Sequence, residues 1–140
     1  MSQAVCAGEA MAPDALAGAL PAPITEVTTS GTWQDGGRAG TYRALVVMTG
    51  PVEKPVAKVF LQWIDGSAQS GTNAVVASKP IEQVNALNVP NASLAMDSEG
   101  PNEVTLLVQS YDPNAETSHN FSVTATLPGQ LTVSEGGGTE

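Results

Sequence analysis

The chain has one cysteine, one histidine, six aromatic residues and five basic ones among its 140 residues. Each shortage excludes something. A solitary Cys6 allows neither an intrachain disulfide nor a cysteine-based zinc site. Gln3-Ala4-Val5 ahead of it makes a poor lipoprotein box, so Cys6 reads as an idle thiol and not a lipid anchor. Five Lys and Arg stand against fourteen Asp and Glu, for a formal charge of −9. The cations, Arg38, Arg43, Lys54, Lys58 and Lys79, are scattered, and no basic face can displace counterions from phosphates. Nucleic acid and anionic membrane surfaces are therefore excluded as partners. No apolar run approaches the roughly 18 residues of a membrane span. The first residues lack a basic stretch and a Leu-rich core, so they do not read as an intact signal peptide. Ala10-Met11-Ala12 has the small-x-small form of a cleavage site without the apolar segment that should precede it.

Catalytic groups are equally sparse. The one histidine, His119, follows Ser118, and neighbours on a strand point to opposite faces, which denies the pair a hydrogen bond. No G-x-S-x-G elbow is present. Fourteen carboxylates offer no pair marked for glycoside hydrolysis, and six aromatics give little for a sugar-lined cleft. The Gly36-Gly37-Arg38-Ala39-Gly40 run leads into a strand and not a helix N-terminus, so it lacks a phosphate cradle. No catalytic residue and no cofactor are expected.

What is present is β-texture. Ten Pro and fourteen Gly punctuate the chain, which suits short strands joined by turns. Residues 1–23 form an Ala/Pro-rich arm, with one helical turn expected from Asp14 to Leu20. Residues 24–134 form the domain, and residues 135–140, with Gly136-Gly137-Gly138, form a tail expected to be disordered. Within the domain, strands are predicted over 24–33, with a bulge at Gly31, and over 41–49, 56–64, 74–78 and 80–87. Others follow over 92–96, 104–111, 119–127 and 130–133. Turns are predicted over 34–40, 50–55, 97–103 and 112–118, with a polar loop over 65–73. Phe121, Val123, Ala125 and Leu127 alternate with Ser122, Thr124 and Thr126, the pattern of a half-buried antiparallel strand. Val59, Leu61 and Trp63 share another face, which makes Trp63 a core anchor.

The expectation is an all-β, antiparallel two-sheet β-sandwich of about seven or eight strands. It resembles immunoglobulin-like and fibronectin-type domains in architecture alone; no motif places the chain in a family.

Few residues stand out as sites. Asp112, Asn114 and Glu116 place oxygens at alternate positions, like the start of a calcium loop, and a nonstandard site would add Asp97 or Glu99 from another loop. Thr117 and Val123 then occupy the positions where that loop needs Gly and Glu, so no metal is expected and a turn is the better reading. Asn91-Ala92-Ser93 and Asn120-Phe121-Ser122 are glycosylation sequons. Trp33, Arg38 and Tyr42 are candidates for partner contact, and Trp33 or Tyr42 could act as a stacking platform for a glycan. The leading expectation is a non-enzymatic interaction or structural domain, bound to a protein partner or to the subunits of an extracellular or virion-type assembly. An extracytoplasmic setting, whether secreted, periplasmic or virion, is favoured. A carbohydrate-binding module is the alternative, and a carboxylate-based hydrolase the third reading.

Overall fold

A computed structural model describes residues 18–66 and 75–136 of the chain. Cys6, Ala10-Met11-Ala12, the Asp14 cap, most of the loop predicted over 65–73 and the end of the glycine tail lie outside the described residues.

The described residues form eight strands: β1 (Ile24–Asp35), β2 (Arg38–Thr49), β3 (Val56–Asp65), β4 (Val75–Pro80), β5 (Ser93–Gly100), β6 (Glu103–Asp112), β7 (Thr117–Ala125) and β8 (Leu131–Glu135). One short helix, α1 (Glu82–Asn85), follows β4. The strands make two antiparallel four-stranded sheets, ordered β1-β2-β3-β4 and β5-β6-β7-β8. The expected sandwich is therefore formed. Its connectivity is two consecutive meanders, whereas an immunoglobulin domain shuttles strands between sheets by Greek-key links.

Alternation sets which side chains meet between the sheets. Tyr42, Ala44 and Val46 of β2 and Val59, Leu61 and Trp63 of β3 face Leu106 and Val108 of β6 and Phe121 and Val123 of β7. Trp63 is 0% exposed, as its apolar face predicts. Two polar tips on this core reach across it. Tyr42 Oη donates to the Thr126 carbonyl at 2.8 Å and Trp63 Nε1 donates to the same oxygen at 2.9 Å. A buried hydroxyl or indole N–H is costly unless bonded, so these two contacts fix how the sheets sit on one another.

One side of the sandwich is closed. There β1 runs beside β5, tied by Leu94 N–H to Glu26 Oε2 at 3.3 Å and Asn102 N–H to the Thr32 carbonyl at 2.9 Å. The other side, between β4 and β8, is open among the described residues.

Three local expectations are corrected. Residues 80–87 are not a strand. Ile81 and Val84 are both buried, a spacing of three that suits a helical turn and not a strand. The Ile81 carbonyl accepts from Val84 and Asn85 N–H. Asn85 then uses its side-chain amide to satisfy both Val59 N–H and Val59 C=O, extending the β3 edge where β4 has ended. Residues 97–100 are not a turn; β5 continues to Gly100, and Asn102 takes φ +62° in a two-residue reversal. The turn predicted over 34–40 contracts to Gly36-Gly37, with Gly36 at φ +64° and Asp35 paired to Arg38. The bulge at Gly31 is present, with φ +70° and a register shift between Ser30 and Trp33.

Candidate functional site

Trp33 and Tyr42, read as partner contacts, are core residues. They are 1% and 0% exposed. The indole Nε1 of Trp33 donates to the Thr41 carbonyl at 3.0 Å, and the Tyr42 ring tilts against Trp63 at a centroid distance of 6.2 Å. A ring must face solvent to stack on a ligand, so neither residue offers a platform. Arg38, the third partner-contact candidate, is exposed at the β1–β2 turn.

Burial has a titration consequence at Tyr42. Desolvation, reinforced by the negative charge of Glu103, pushes its phenol up to about 12. The folded state thus holds the proton more tightly than the unfolded chain, whose phenol titrates near 10. The contribution is fully present below about pH 10 and is lost as pH rises towards about 12. Melting temperature should fall over this window, and Tyr42→Phe should flatten that fall. Parallel melting curves for the two proteins across the window would contradict the assignment.

The Asp112 loop behaves as a turn. Asp112 Oδ1 accepts from Asn114 N–H at 3.0 Å and Ala115 N–H at 3.3 Å, and Glu116 adopts φ +54°. Asp97 pairs with Thr105 on β6, seven residues from Asp112, or about 23 Å along the strand. It therefore cannot share a cation with that loop. Among the described residues, no three His, Cys, Asp or Glu side chains come together as metal ligands. His119 Nδ1 lies 3.1 Å from Glu135 Oε2, and its ring stacks on Phe121. In the Asn91 sequon, the Asn91 side chain is occupied in a two-point hydrogen bond to Tyr111 N–H and C=O, at 2.9 and 3.0 Å.

The open side of the sandwich holds a feature that the sequence reading missed. A groove of about 870 Å³ runs between Lys79, Pro80, Glu82 and Gln83 on one wall and the β7–β8 hairpin on the other. The hairpin wall presents Gly129 to Val133. Thr126 lines it as well, the residue whose carbonyl Tyr42 and Trp63 hold from behind.

The two strands that border the groove differ as edges. At β4, Ile81 N–H bonds to the Val59 carbonyl, and by strand alternation Lys79 and Ala77 also face β3. Ser78 and Pro80 are left facing outward, and Pro80 has no N–H to donate. The β4 edge is blunted. At β8, Gly136 N–H bonds to the Asn120 carbonyl and Thr126 N–H to the Gln130 carbonyl. That parity assigns Thr132 and Ser134 to the ladder with β7. Leu131, Val133 and Glu135 turn their N–H and C=O groups away from β7, towards the groove side. No Pro, Lys or bulge interrupts β8.

No family model matches the chain, and no curated protein or solved structure matches it either.

Proposed function

We propose that the chain is a non-enzymatic interaction domain that accepts an extended segment of a partner polypeptide along β8, as a ninth strand, within an extracellular or virion-type assembly. The observation that supports this most is the outward backbone of Leu131, Val133 and Glu135, without a strand partner among the described residues, beside a groove of about 870 Å³. An added strand there would form up to six backbone hydrogen bonds, each contributing roughly 0.5–1.5 kcal/mol net. Its alternate side chains would enter the groove between β8 and Pro80 and supply the specificity that backbone pairing lacks. The glycan reading has no comparable support, because Trp33, Tyr42 and Trp63 all lie in the core.

The test is selection of ten-residue peptides from a displayed library, followed by binding measurements on edge variants. Val133→Pro and Glu135→Pro remove an outward N–H and leave the ladder to β7 intact, whereas Glu135→Gln keeps it. Selected peptides should lose at least tenfold in affinity on the proline variants and little on Glu135→Gln. Melting curves establish that the variants fold. Failure to select any peptide, or equal binding by all three variants, would overturn the proposal.

A further inference from the structure

The two outer faces of the sandwich carry opposite charge. On the first sheet the outward side chains include Arg43 and Lys58, and no carboxylate lies among those between the turns. Arg43 Nε and a terminal guanidinium nitrogen donate to Gln62 Oε1 at 3.0 and 2.8 Å. Lys58 Nζ donates to the Asn85 carbonyl and to Asn88 Oδ1, both at 2.9 Å. These acceptors are neutral, so neither bond pairs a cation with a carboxylate. On the second sheet the whole stretch from Ser93 to Glu135 contains six carboxylates and no Lys or Arg. Asp97 and Glu103 sit on its outer face and are exposed.

Both faces also carry apolar surface. Val27, Leu45 and Phe60 lie opposite one another across β1, β2 and β3, a row that ends at Pro80; Val27 is exposed, Phe60 half-buried and Leu45 buried. Leu107 and Tyr111 on β6 are 46% and 43% exposed. The described end of the N-terminal arm, Ala19 to Pro21, sits at one corner of the first face against Val27, Arg43 and Leu45.

We infer that a second copy of this chain docks head to tail, the Arg43–Lys58 face of one copy on the Asp97–Glu103 face of the next. This goes beyond the strand-addition reading by naming the partner at a different surface. A contact of this kind is heterologous and leaves one free face at each end, so it repeats into an open row and does not stop at a dimer. Its strength follows from its size. Four strands about 4.8 Å apart and some seven residues long give roughly 400 Å² per face. That is half the ~800 Å² per partner of a stable interface. One contact is therefore weak, and rows form at high protein concentration. Each copy carries a net −9, so long-range repulsion opposes stacking at very low salt. Near 0.1 M, where the screening length is about 10 Å, that repulsion is damped while contacts at a few ångströms survive.

Sedimentation velocity of the full chain tests this. At about 0.1 M salt, weight-average mass should rise continuously past twice the monomer as concentration increases. It should fall back towards monomer near 1 M, where the screening length is about 3 Å. Arg43→Glu/Lys58→Glu should remain monomeric, as should Asp97→Lys/Glu103→Lys. An equimolar mixture of the two variants should regain growth, because each reversed face then meets its complement. Arg43→Glu alone, which leaves the Lys58 bonds to Asn85 and Asn88 in place, guards against misfolding of the double variant and should weaken association at least fivefold. Mass that stays monomeric at every concentration, as when the face is covered within the chain itself, overturns the proposal. So does growth that stops at a dimer or survives charge reversal. Val133→Pro should leave the mass curve unchanged, which separates this result from the fate of the β8 proposal.

Discussion

Replacing Trp63 with Ala is expected to cost roughly 3–5 kcal/mol, the range for removing a large aromatic side chain from a packed core. The side chain is fully buried in the middle of the first sheet, paired in register with Tyr42 on one side and Ala77 on the other. Three losses combine. A large apolar area returns to solvent or becomes cavity, the tilted contact with Tyr42 disappears, and the Thr126 carbonyl loses one of its two donors. Domains of this size are stable by only about 5–15 kcal/mol, so much of the margin goes with one residue. Trp63→Phe should recover a good part of the packing and none of the hydrogen bond. Equilibrium urea unfolding of the three proteins checks the order. A Trp63→Ala protein as stable as the parent would mean that the inward face of β3 has been misassigned.

Gly40→Ala is expected to cost at least about 2 kcal/mol, the scale of overpacking against parts that cannot move. Gly40 lies between Trp33 and Asp65 in the register of the first sheet. A Cβ there would overlap the Ile64 carbonyl oxygen and approach Gly66 N to 2.8 Å. Both are backbone atoms, and Gly66 N–H is already bonded to the Ala39 carbonyl at 2.8 Å. The chain must open the end of the β2–β3 ladder to accommodate a methyl group. Gly37→Ala, three residues away in open space, is the control and should stay within about 0.5 kcal/mol of the parent. Equal costs at the two sites would show that the close approach at Gly40 is absent.

The sequence reveals the sheets better than it reveals what they leave exposed. β3 and β7 are legible because Val59, Leu61 and Trp63, and Phe121, Val123 and Ala125, alternate without interruption. Residues 80–87 are not, because Ile81 and Val84 are too few to separate a helical spacing from a strand. Trp33 misleads for a specific reason. Ser30 points inward, and strict alternation would place Trp33 on the solvent side; the extra residue at the Gly31 bulge reverses the phase and buries the indole. The candidate site is the least legible part. Residues 130–133 (QLTV) read the same in a central strand as at an edge. Whether Leu131, Val133 and Glu135 keep free backbone groups depends on which strand lies next to β8, and that is a property of the whole fold. Pro80 is the one local signal, since a proline there blunts one wall of the groove and leaves β8 as the edge able to pair.

Amide hydrogen exchange along β8 in the free protein, read residue by residue by NMR, tests the central claim most directly. Thr132, Ser134 and Gly136 donate to β7 and should exchange slowly, while Leu131, Val133 and Glu135 face the open groove and should exchange fast. Addition of a selected peptide should slow those three and leave the others as they were. Uniform protection of β8 in the free protein would mean that the edge is already covered. Uniformly fast exchange would mean that β8 is not held in the sheet, and either result would contradict the account.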